Sequence, residues 1–139
     1  MTSYIRADVR REVYDRAGGR CEYCLIHERD TFLGCQVDHI VSEKHGGPND
    51  ASNLALACAC CNRAKGSDVG SLSEATGDFV RFFNPRIDDW TAHFSLNEDL
   101  FAPLSVIGEA TIRILRLNSA ERVLERRALR AVGKYHSAE

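Results

Sequence analysis

The stretch CEYCLIHERDTFLGCQVDHIVSEKHGGPNDASNLALACACCNRAKG, residues 21–66, carries two C-x-x-C pairs, Cys21/Cys24 and Cys58/Cys61, with 33 residues between them. Two residues between thiolates let one turn of backbone present both sulfurs to a single ion, and two such turns close a tetrahedral zinc site with Zn–S distances of about 2.3 Å. Four thiolates leave no open coordination position, so the expected zinc is structural, and it can contribute on the order of 10 kcal/mol to folding. The segment between the pairs then reads as an insertion stapled at both ends by the metal. Cys60 offers a second register, Cys58-x-Cys60, but only Cys61 keeps the two-residue spacing. Cys35 and Cys60 are left as small core residues.

The rest of the chain supports a metal site over a disulfide framework. No apolar stretch in residues 1–15 could act as a secretory signal, and no window approaches the roughly 18 apolar residues needed to span a bilayer. The expected compartment is the cytoplasm, with no membrane partner, and there six cysteines in 139 residues point to metal. With 44% hydrophobic and 27% charged residues, and only 10 Gly and 3 Pro, neither a disordered nor a collagen-like chain fits. The net charge of −2 argues against a strongly basic nucleic-acid coat. It also averages unlike parts: residues 67–112 carry two Lys/Arg against eight Asp/Glu, and residues 113–139 carry seven against three.

Working outward from the cysteines, Ile5, Val9, Val13 and Ala17 recur at helical spacing, with Thr2 or Ser3 as a cap and Gly18-Gly19 as the stop. Residues 31–41 are strand-like, residues 44–50 are a loop broken by Gly46, Gly47 and Pro48, Leu54 to Cys58 is a second short strand, and Cys58 to Gly66 a short helix ended by its glycine. Beyond it, residues 78–90 are aromatic-rich and interrupted at Pro85. Residues 91–96 and 100–106 can pair across Asn97-Glu98-Asp99, and residues 107–117 and 118–132 read as helices, the last with Val123, Leu124, Ala128 and Val132 as its apolar stripe. Arg113, Arg116, Arg122, Arg126, Arg127, Arg130 and Lys134 are either a solvated face, helped by Glu121 and Glu125, or a surface beside the site that follows a nucleic-acid backbone, or the outer charges of a dimer helix. Asn84, Pro85, Arg86, Trp90, His93 and Phe94 read as a packing unit over the hairpin, with His93 hydrogen-bonded in the core.

Inside the stapled segment the order is Asp38-His39-Ile40, Gly46-Gly47, Asn53-Leu54, then Cys58-x-x-Cys61-Asn62-x-x-Lys65. In order and spacing this resembles the HNH endonuclease family. The resemblance implies a ββα-metal nuclease fold in which a β-hairpin and a helix hold one divalent ion against a scissile phosphodiester. By the same resemblance His39 is the general base, Asp38 and Asn62 hold the catalytic metal, Asn53 orients the loop and the His39 ring, and Lys65 and Arg63 contact phosphate. His45 is a further candidate for phosphate or the metal, although a solvated loop histidine is the plainer reading.

These residue types suit the reaction. Phosphodiester hydrolysis needs a base partly neutral near pH 7 and a cation on the developing charge. The Asp and Asn oxygens favour Mg²⁺ or Mn²⁺ over a thiolate-preferring metal. Neighbouring residues of a strand point to opposite faces, so a bend or bulge is expected at Asp38-His39.

The expected fold is thus α+β: a zinc-stapled ββα-metal (HNH) core with an N-terminal helix over residues 1–66, and a hairpin-plus-helices extension over residues 67–139 packed on that core. The expected activity is metal-dependent endonuclease cleavage of DNA phosphodiester bonds, by a monomer or homodimer, with structural Zn²⁺ and catalytic Mg²⁺ or Mn²⁺. The alternative is a zinc-stabilised nucleic-acid-binding module with an inactive site, which Ser42 and Asn62, departures from the commonest family pattern, keep open.

Overall fold

The computed structural model describes residues 4–136. Helix α1 (Ala7–Ala17) ends where the glycines require: Gly18 adopts the left-handed conformation, and its N–H returns to the last helical carbonyls. The expected caps Thr2 and Ser3 lie outside the described residues, and the N-cap position is Arg6.

Strands β1 (Cys35–His39) and β2 (Leu54–Cys58) form an antiparallel hairpin, and β2 runs directly into α2 (Ala59–Lys65). All five β2 residues are buried because the strand is covered on both faces. Leu54 and Leu56 pack with Ile5 and Val13 under α1, while Ala55 and Ala57 belong to the main core, where Tyr23, Phe83, Trp90, Phe94 and Phe101 lie. A strand buried on both sides loses its alternating pattern. Strand β1 is shorter than expected: Phe32 is fully exposed and Leu33 largely so, so their apolar character has no sheet to join.

Three elements follow that the aromatic-rich stretch did not announce: β3 (Gly70–Leu72), β4 (Phe79–Arg81), paired with it, and the one-turn helix α3 (Trp90–His93). The next hairpin, β5 (Phe94–Asn97) with β6 (Leu100–Pro103), turns at Glu98-Asp99 within the expected turn, but its strands are shorter than expected, because residues 91–93 belong to α3 and Val106 begins the next helix. Helices α4 (Val106–Ile114) and α5 (Ala120–Ala131) close the fold. Among the described residues no helix is long and apolar enough to cross a membrane.

The extension packs its aromatic residues into the core that holds Ala55 and Ala57 of the hairpin, and it also grips the first cysteine turn. Trp90 Nε1 donates to the Tyr23 carbonyl at 2.9 Å, Arg86 pairs with Glu22, and the Tyr135 hydroxyl donates to the Cys24 carbonyl. His93 is hydrogen-bonded to Ser105 through Nδ1 at 2.6 Å and sits 3.9 Å from Asp88, as a core histidine does.

Helix α5 overturns the expected apolar stripe. Leu124 is 61% and Val132 67% exposed, whereas Arg126 is 2% exposed. The helix seats itself through arginines. The Arg126 guanidinium lies 4.2 Å from the Phe101 ring centre and donates to the Asp99 and Leu117 carbonyls, satisfying in the interior a charge that the sequence pattern assigns to solvent.

Candidate active site

The sulfur cluster forms where two turns meet. Cys21 and Cys24 flank the first, whose Cys24 N–H approaches the Cys21 sulfur at 3.4 Å. Cys58 and Cys61 flank the second, at the β2–α2 junction, with the same 3.4 Å approach. All four sulfurs lie within 4.8 Å of one another and all four residues are buried. A tetrahedron of sulfurs about 2.3 Å from zinc has edges of about 3.8 Å, and Cys24 and Cys58 are 3.7 Å apart. The donor set fits a structural metal such as zinc.

Burial pushes the Cys21 thiol well above its ordinary value, and hydrogen bonds from Cys21, Cys58 and Cys61 pull Cys24 well below. Sulfurs this close cannot hold their protons independently. Cys35 stands apart from the cluster, its thiol pushed up to about 12 by burial, and Cys60 is exposed. Neither joins the four.

Arg122, one of the basic residues near the C-terminus, completes this centre. Arg122 of α5 approaches the Cys61 sulfur at 3.1 Å and the Cys58 sulfur at 3.8 Å, and donates to the Leu115 carbonyl at 2.9 Å. Burial works against its charge, but the thiolates of Cys61, Cys24 and Cys58 outweigh that and hold the guanidinium above its ordinary pKa. No spacing signal could find this contact, which joins residues 61 positions apart.

The second candidate centre is built of oxygens and nitrogens at the open end of the β1–β2 hairpin. Pairing continues unbroken through Asp38↔Ala55 and His39↔Leu54, so the expected bulge is absent and the side chains keep their alternation. Asp38 meets α2, its carboxylate 3.4 Å from Lys65 Nζ, while the His39 ring meets the loop, with Nε2 2.6 Å from Asn49 Oδ1 and 3.6 Å from Glu43 Oε1. His39 is the last paired residue of β1, which sets its ring beside that loop. Burial raises the Asp38 pKa, and Lys65 opposes the shift.

Asn53 holds the loop but does not touch the ring. Its amide donates to the carbonyls of Val41 (2.8 Å) and Pro48 (2.9 Å) and accepts from the Val41 N–H at 3.0 Å, closing the loop at both ends. Gly47 is demanded by that clamp, since a β-carbon there would meet the Val41 carbonyl oxygen at 1.7 Å and the Asn53 amide at 2.7 Å. The group hydrogen-bonded to the ring is Asn49, with Glu43 beside it at 3.6 Å, and no sequence period singles Asn49 out.

Lys65, read as a phosphate contact, is 2% exposed and donates to the His39 carbonyl at 3.0 Å as well as facing Asp38. Its stem is enclosed between α2 and the hairpin, so its ammonium braces the site from behind. Asn62 donates to Gln36 Oε1 at 2.7 Å, one strand repeat from Asp38 on the same face of β1, which leaves its own carbonyl oxygen for a cation. The oxygens of Asp38 and Asn62 are the hard donors that Mg²⁺ or Mn²⁺ takes. Arg63 and His45 are both exposed.

Comparison with known proteins gives one finding for this part of the chain: residues 21–68 match the family model described as HNH endonuclease. No curated protein and no solved structure matches.

Proposed function

From a chain whose residues 21–68 are an HNH endonuclease domain, we propose a metal-dependent endonuclease that hydrolyses DNA phosphodiester bonds. The observation carrying this reading is the pairing of His39 with Asn49 at the end of the strand that also bears Asp38. With Nε2–H donating to the Asn49 carbonyl oxygen, the neutral ring keeps its lone pair on Nδ1, the atom that takes a proton from the attacking water. Asp38 and Asn62 would hold a divalent cation, which when bound would supply charge stabilisation at the phosphate and the leaving oxygen. Lys65 steadies Asp38 and the backbone of His39 together. Asn53 and Gly47 keep the loop, and therefore Asn49, in register with the ring. Water adds to phosphorus as its proton passes to His39, the bond to the 3′ oxygen breaks, and that oxygen takes a proton from a solvent water, leaving by family analogy a 5′-phosphate and a 3′-hydroxyl.

The second reading, a zinc-stabilised nucleic-acid-binding module without catalysis, is favoured by the Lys65 ammonium beside the proposed ligand Asp38. Plasmid nicking with Mg²⁺ or Mn²⁺ separates the two. Wild type nicks and His39→Ala falls by roughly 10² to 10⁴-fold; a wild type that binds DNA without nicking under either metal selects the second reading.

A further inference from the structure

A groove of about 600 Å³ runs between α2 and the α4–α5 junction. Cys60, Arg63 and Ala64, three and four residues apart on α2, form one wall, and Arg116 and Ser119 stand on the other. Arg63 follows Asn62, the proposed cation ligand, on α2, so one wall of the groove is the helix that carries that ligand.

The other basic side chains of residues 113–139 have structural partners. Arg113 pairs with Glu74 and Glu109, Arg127 and Arg130 with Asp99, and Lys134 with Asp30. Arg126 is buried, and Arg122 is held by the sulfurs. Among the described residues, Arg63 and Arg116 have exposed side chains with neither an ion pair nor a hydrogen bond, and both line this groove. Arg116 also has φ 56°, a left-handed conformation unusual for a residue other than glycine. Such a conformation persists where the surroundings impose it. Glu121 is the carboxylate lining the groove, and against it stand Arg63, Arg116 and Arg122.

We infer that this groove binds the phosphate backbone of the nucleic-acid strand next to the scissile bond, through Arg63 and Arg116. The inference rests on the nuclease reading for its orientation toward Asn62, but its readout is binding. A groove between α1 and β1, lined by Arg10, Arg11 and Tyr14, is the competing path. There Arg10 already donates to the Ile5 carbonyl. Contacts to phosphate carry no sequence information, so binding through the α2–α5 groove is independent of base sequence.

The test measures fluorescence anisotropy of a labelled DNA duplex between 50 and 200 mM salt, in the zinc-loaded full chain carrying His39→Ala so that the duplex stays intact. Arg63→Ala/Arg116→Ala weakens binding roughly tenfold and makes the log–log salt slope shallower by about 1.8. The Lys pair at the same positions restores the slope, and Arg127→Ala leaves it unchanged. Zinc content and melting temperature verify that each variant is folded. Three results overturn the inference: a folded double alanine variant with unchanged affinity and slope, loss of the slope on Arg11→Ala instead, or no duplex binding at 50 mM salt. Nicking by the His39 wild type is read alongside. Its absence together with groove-dependent binding upholds the groove and removes the nuclease reading.

Discussion

The two candidate metal centres are built in opposite ways. At the sulfur centre four buried side chains converge within 4.8 Å, and an arginine from the far end of the chain leans on them. At the oxygen centre each group is drawn toward a different protein partner: the candidate ligands Asp38 toward Lys65 and Asn62 toward Gln36, and the candidate base His39 toward Asn49. The first is part of the core, reached by β2, α2 and α5 together. The second sits at a strand end and in a loop, where polar groups can be supported on one side and remain open on the other. A closed site serves folding, whereas an open one leaves coordination positions for substrate and water.

The largest effect is expected from breaking the sulfur centre. Cys61→Ser removes one of four ligands and should abolish zinc retention, costing several kcal/mol of the roughly 10 that such a site contributes. The chain would melt at or below room temperature, whereas Cys35→Ser and Cys60→Ser should keep one zinc per chain. Metal analysis and thermal melts on the three variants test this. Loss spread evenly over all three would erase the distinction between ligand and bystander.

A smaller effect sharpens the account of the open centre. Asn53→Ala leaves two carbonyls and an N–H at the loop ends without their partner, a loss of about 3 kcal/mol, while zinc is retained. Nicking should fall with it because Asn49 loses its register. Gly47→Ala should act similarly, since its β-carbon would strike the Val41 carbonyl. Chemical denaturation measured beside zinc content separates this loop effect from a core effect.

The smallest effect concerns the extension. Asp88 accepts two hydrogen bonds from Arg81 (2.6 and 2.8 Å) and one from the Asn84 N–H, and Arg81 in particular holds its carboxyl below the ordinary range. A depressed carboxylate contributes stability above its unfolded pKa, and that contribution is lost as pH falls through the folded value. Asp88→Asn should therefore cost about 1 kcal/mol at pH 7, discounted because Arg81 is half exposed. The gap in melting temperature between variant and wild type should narrow below about pH 4. A gap independent of pH would mean that the aspartate acts by shape alone.

How far the residues foretold this follows the same division. Local signals read well: glycines end α1 and α2, the run Leu54–Cys58 is a strand, and the spacing of Cys21, Cys24, Cys58 and Cys61 selects the four sulfurs that meet. What failed depends on distant partners. Arg126 looks solvated until Phe101 and two carbonyls receive it, and Lys65 looks exposed until the hairpin encloses it. Phe32 looks like a strand residue, but no partner strand reaches it. Asn49 has no periodicity, and only the fold brings it to His39.

The most direct test of the two-centre account is to wash the purified wild type with a mild chelator, then measure zinc and plasmid nicking on the same sample before and after adding Mg²⁺ or Mn²⁺. The account predicts about one zinc per chain throughout, no nicking before the addition, and nicking restored by it. Nicking that needs no added cation, or that rises and falls with the zinc content, would contradict it.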